Sequence, residues 1–179
     1  MANYVTAFNR LYQAGFSPNL VERPRLEKHL QKVLNDVVKM RGLITPASKE
    51  THIQKAIFEA IQTVSRNLVC MLELQINAYW SSRPGHFVML NAHTLRETQQ
   101  MTQQTLLTIA HALYEGNPQP IRANTEKLND IVAELRELMK EHQGDSLAET
   151  PIHGYVWLTI ELARQLELLS NLICRALRK

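Results

Sequence analysis

Residues 53–79 read IQKAIFEAIQTVSRNLVCMLELQINAY, with no glycine or proline. Ile53, Ile57, Ile61, Val64, Leu68, Leu72 (with Met71 beside it) and Tyr79 recur at steps of three, four and seven. A strand would alternate with a period of two, whereas this spacing is the 3.6-residue period of a helix with an apolar stripe. In its middle, Leu68-Val69-Cys70-Met71-Leu72 is apolar on every side. A helix apolar all round belongs at the centre of a fold. Glu73 and Asn77 mark the one edge expected to face solvent, and buried instead, Glu73 would be a polar or ligand contact with a raised pKa.

Outward from this stretch, the punctuation sets the organisation. The six glycines and seven prolines of the 179-residue chain fall in clusters and leave segments at about 2–14, 24–41, 48–83, 87–115, 119–142 and 151–178. Each is helix-length. In the fifth, Leu128, Ile131, Val132, Leu135, Leu138 and Met139 form one stripe, and Glu126, Lys127, Asp130, Glu134, Arg136, Glu137 and Lys140 fill the other face. Asn117-Pro118 supplies its cap and first turn, and Thr150-Pro151 does the same for the last segment. The last segment is broadly apolar (Val156, Leu158, Leu162, Leu166, Leu169, Leu172, Ile173, Ala176), so it is expected to pair with the third. The expected fold is all-α: an elongated antiparallel helical bundle of five to six helices, with a third helix about 50 Å long if unbroken.

Composition narrows the function. Cys70 and Cys174 both sit in apolar strings and read as reduced core thiols; two cysteines do not make a disulfide framework. There is no secretion-signal layout at the start and no run of about 20 apolar residues that could span a bilayer. Glu-x-x-His, HExxH, CxxC, GxGxxG, GxxxxGK[ST] and GxSxG are all absent. The seven histidines are scattered; His111 and Glu115, one turn apart, read as a hydrogen-bonded pair near a helix end. No catalytic residue, metal or cofactor is expected. Tyr79-Trp80 and Tyr155-Val156-Trp157 read as aromatic caps on the end of the core, with a ligand pocket at Tyr155 as the alternative. TLRETQQMTQQTLLT (94–108) reads as a solvated polar face, or one bonded to a neighbouring copy in an oligomer.

Charge is distributed unevenly. Residues 1–83 carry 11 Lys/Arg against 6 Asp/Glu, and residues 84–179 carry 9 against 11, so the net +3 is +5 with −2. The excess gathers in ERPRLEKHLQKVLNDVVKMRG (22–42), where Arg25, Lys28, Lys32 and Lys39 share a helix face with Arg23 and Arg41 at its ends. Such a face suits solvent or an anionic lipid surface. Nucleic acid is not expected, because no aromatic platform is interleaved and Glu27 and Asp36 dilute the charge.

Long irregular strings then carry a resemblance. FSPNLVERPRLEKHLQKVL (16–34), VKMRGLITPASKETHIQKAI (38–57), SRNLVCMLELQINAYW (65–80), HALYEGNPQP (111–120), ANTEKLND (123–130), ETPIHGYVWL (149–158) and QLELLSNLICRALRK (165–179) closely resemble the C-terminal part of bacterial inner-membrane proteins of the fusaric-acid-resistance (FUSC) type. These are related to the aromatic acid exporters. The resemblance implies a cytoplasmic helical domain attached to a membrane-spanning half, with residues 1–20 a juxtamembrane segment and 21–179 a single domain. It implies no catalytic site. It gives the basic face weight, since positive residues gather on cytoplasmic segments near spanning helices. Its implied partners are the protein's own membrane half and the lipid surface. Two other readings have distinct signatures. A helical adaptor would expose an apolar strip, and a small enzyme would gather Glu73, His111 and Tyr155 round a pocket.

Overall fold

The computed structural model describes residues 1–17, 23–81, 92–141 and 150–178. Among these the chain forms six helices and no strand: α1 (Ala2–Gly15), α2 (Arg23–Thr51), α3 (Lys55–Ser81), α4 (Ala92–Glu115), α5 (Gln119–Glu141) and α6 (Thr150–Leu177). The all-α bundle is the architecture the periodicity implies.

Spatial neighbours run α1–α2–α3–α6–α5–α4 and back to α1, a closed circuit in which α3 and α6 make the most extensive pair. Their register is antiparallel: Gln75 Nε2 donates to Thr159 Oγ1 at 2.8 Å, and Tyr79 packs on Tyr155 with ring centroids 5.5 Å apart. Leu68, Val69, Leu72 and Ile76 of α3 meet Leu162, Leu166, Leu169 and Ile173 of α6 in one buried cluster. On α5, Leu128, Val132 and Leu135 are buried, and the seven charged residues opposite are exposed. Asn117 Oδ1 accepts the Gln119 N–H at 3.1 Å, the expected cap.

The N-terminal helix is core. Tyr4, Val5, Phe8, Leu11 and Tyr12 of α1 are each at most 1% exposed. Each such burial is worth about 1.5–3 kcal/mol before entropy. Tyr4 O–H donates to the Ser65 carbonyl at 2.7 Å, tying α1 to α3. At the other end of α1, a Cβ on Gly15 would lie 2.6 Å from Ile76 Cγ1, so glycine permits the close approach. Trp80 Nε1 donates to the Gly15 carbonyl there at 2.8 Å.

Three expectations are corrected. The break expected at Gly42/Pro46 is not a break: α2 runs on to Thr51 with Pro46 inside it. Proline removes the N–H that would bond the Gly42 carbonyl, but both residues are exposed, so water can serve that carbonyl. The chain turns at 52–54, where His52 takes φ 58°, and the Ser48 hydroxyl donates to the Ile53 carbonyl at 2.8 Å. This shortens α3 to 27 residues, about 40 Å. Cys70 is exposed rather than core; it lies about 200° round the helix from buried Leu68. Cys174 is buried, its thiol 3.8 Å from the Pro118 carbonyl.

The third correction concerns α4. Three of its threonines turn inward, Thr98, Thr102 and Thr105 being at most 2% exposed, while Gln100 and Gln104 face outward as the solvated reading expects. Each hydroxyl donates to the carbonyl four residues back, namely Thr94, Thr98 and Met101. A threonine bonded this way turns its methyl group to the core, and the Thr105 hydroxyl oxygen also accepts from Asn124 Nδ2 of α5.

Candidate functional site

The basic residues lie on the longest and least buried helix. Among the described side chains of α2 only Val33, Val37 and Ile44 are buried, so most of its circumference faces outward. Arg25, Lys28, Lys32 and Lys39 are exposed. At 100° per residue they fall within roughly 60° of one another, a single stripe. Arg23 belongs to the helix, but its side chain lies outside the described residues, as do His86 and His142.

Of the two carboxylates that dilute the stripe in sequence, one leaves it in space and the other, Asp36, about 20° round from Arg25, stays beside Lys32 and Lys39. Glu27 falls about 200° round from Arg25. Asp36 is half-buried against the amino end of α1, where its charge acts on the Met1 amine. None of the described carboxylates pairs with Lys28, Lys32 or Lys39. Leu43, 61% exposed, prolongs the stripe at the azimuth of Arg25. An outward-facing basic row of this kind is able to meet anionic groups.

Arg41 does not end this stripe. It lies about 160° round from Arg25 and lines an open groove of about 490 Å³ between α2 and α3, with Thr45, Lys55, Gln62, Thr63 and Arg66. Glu59 lies in the same groove, 3.5 Å from Lys55. Sequence reasoning missed Lys55 and Arg66 because their meeting with Arg41 depends on where the chain turns back, and the turn at 52–54 carries no glycine or proline to announce it.

Tyr155 and Glu73 do not share a site. Tyr155 is fully buried, its hydroxyl accepting from Gln99 Nε2 at 2.9 Å, and Thr159 O–H donates to its carbonyl at 2.9 Å. Burial pushes its pKa up to about 12, and the hydrogen bond from Gln99 opposes this. Tyr79 and Phe16 pack round it, with ring centroids 5.5 and 6.1 Å away. It therefore stays a neutral phenol that joins α4 to α6 and closes the aromatic end of the core. Glu73 and Asn77 are exposed on the outer edge of α3. The His111 side chain is 80% exposed on α4, 3.8 Å from Glu115. The pocket expected of a small enzyme round Glu73, His111 and Tyr155 is not assembled. Among the described residues no three His, Cys, Asp or Glu side chains gather as a metal site would need.

Against known proteins, the chain is 70% identical over all 179 residues to the inner membrane protein YeeA of Escherichia coli (strain K12). It spans 51% of that protein's length. No family model matches the chain. No solved structure matches it. Among the described residues no helix is long and apolar enough to cross a membrane.

Proposed function

We propose that the chain is the cytoplasmic-side helical domain of an inner-membrane protein, non-catalytic, held against anionic lipid by the basic stripe of α2. The observation that carries this reading is the 70% identity, unbroken over the chain, to half of an inner membrane protein. The half that matches offers no described helix able to span, so the spanning role falls to other parts of such a protein. The stripe supports the side: lysine and arginine near spanning helices favour the cytoplasmic face. Arg25, Lys28, Lys32 and Lys39 would each contribute about 1 kcal/mol near anionic lipid.

The role of such a domain is to assemble, stabilise or gate the membrane half. The fusaric-acid-resistance resemblance points to a transporter of organic acids. Gating requires a ligand or surface that prefers one of two states, and in this reading lipid contact through α2 would be that surface. A reporter fused after Lys179 of the full-length protein tests the side. A fluorescent protein there should fluoresce and alkaline phosphatase there should be inactive; the reverse pattern would overturn the reading.

A second reading, a helix-binding module, is favoured by Leu34 and Val38. They are one turn apart on α2, 37% and 71% exposed, on the side away from the lysines.

A further inference from the structure

The groove between α2 and α3 is distinct from the stripe, and its charges do not cancel. The helices are antiparallel about the turn at 52–54. Arg41 lies ten residues before Thr51 and Arg66 eleven after Lys55, so each sits about 15 Å from the turn. The two arginines thus stand at the same height on opposite walls of one groove. Thr45, Gln62 and Thr63 add hydroxyl and amide groups to the same lining. Nearer the turn, Lys55 and Glu59 offset each other at 3.5 Å. That leaves the two guanidiniums in excess, and among the described residues neither has a carboxylate partner.

Two planar five-donor forks lining one groove, with hydroxyls in the same lining, match a tetrahedral dianion better than a single carboxylate. The groove's volume of about 490 Å³ admits a phosphate together with the group that bears it. We propose that Arg41 and Arg66 form a phosphate-binding site in the α2–α3 groove, with Thr45, Gln62 and Thr63 completing its polar lining. The site does not depend on the lysine stripe, which faces another direction. A phosphate group reaches it either on a soluble compound or as a lipid headgroup.

The test is amide NMR of the whole chain titrated with inorganic phosphate, against chloride at matched ionic strength. Shifts should cluster at Arg41, Thr45, Gln62, Thr63 and Arg66. Both arginines are exposed, so Arg41→Gln and Arg66→Gln should fold, and circular dichroism checks that they do. Each should weaken phosphate binding roughly tenfold or more, the effect of losing a charge-assisted bond. Lys28→Glu, Lys32→Glu and Lys39→Glu together should leave it unchanged. A second arm uses phosphatidylglycerol vesicles. If the arginine variants lose inorganic phosphate alone, the ligand is a soluble phosphate compound; if they also lose vesicle binding, it is a headgroup. Shifts spread over all basic residues, or surviving both arginine substitutions, would overturn the site. So would their loss in the lysine variant, and that result would leave the stripe itself standing.

Discussion

Phe8→Ala should lower the stability of the bundle by about 3–5 kcal/mol, the usual cost of emptying a buried aromatic position. Phe8 is fully buried, 5.9 Å from the Tyr4 ring, on a helix that packs on α2 and α4 and bonds to α3 through Tyr4. A domain stable by about 5–15 kcal/mol loses a large share of its margin to such a change. Thermal melting followed by circular dichroism should show a fall of many degrees, or no folded baseline at all. Val38→Ala, at a position 71% exposed, is the matched control and should move the melt little. If the two variants melted alike, α1 would be an appended segment rather than core.

Alkali should unfold the protein cooperatively above pH 10. Burial raises the pKa of Tyr4, Tyr12 and Tyr155 above the ordinary tyrosine value of 10.0. Below that value the phenols are neutral in both folded and unfolded chains, so their burial costs nothing in protonation. Above it the unfolded chain releases protons that the folded chain retains. Stability then falls by roughly 1.4 kcal/mol per pH unit for each tyrosine, about 4 for the three together. The loss continues until the folded-state values are reached, about 12 for Tyr155. Phenolate absorbance from these three of the chain's five tyrosines should therefore appear together with the loss of helical signal. Tyr12→Phe should move the midpoint to higher pH. Ionisation of all five tyrosines with the helix intact would contradict the burial described.

Periodicity made most of this fold legible. The stripes of α3, α5 and α6 are helical in spacing, and the two broadly apolar helices do pair as their composition implies. Four features depended on relations that a single helix does not display. Pro46 looked like a terminator, but its cost falls on an exposed carbonyl. Cys70 looked buried because its neighbours in sequence are apolar, yet they point elsewhere on the helix. Thr98, Thr102 and Thr105 looked solvated, but their hydroxyls bond to their own backbone, and that of Thr105 also accepts from Asn124. Gln99 looked solvated, and instead it bonds α4 to α6, as Gln75 bonds α3 to α6.

The candidate site divides in the same way. Arg25, Lys28, Lys32 and Lys39 were readable as one stripe, because only the helical period is needed to place them. Arg41 was misplaced by the same reading, since sixteen residues of helix carry it about 160° round. Lys55 and Arg66 join it only after the chain reverses at His52. Glu73 is where its solvent-edge reading put it, and Tyr155 is an interior strut.

Sedimentation with vesicles tests the central claim, that α2 lies on an anionic membrane surface. The chain should bind phosphatidylglycerol vesicles at low salt, bind less at moderate salt, and ignore phosphatidylcholine vesicles. Reversing Lys28, Lys32 and Lys39 to Glu removes about 3 kcal/mol of attraction, more than a hundredfold in affinity, and adds repulsion. Binding should then vanish while the helical signal is kept. Binding that is unchanged by the three reversals, or indifferent to salt, would contradict the account.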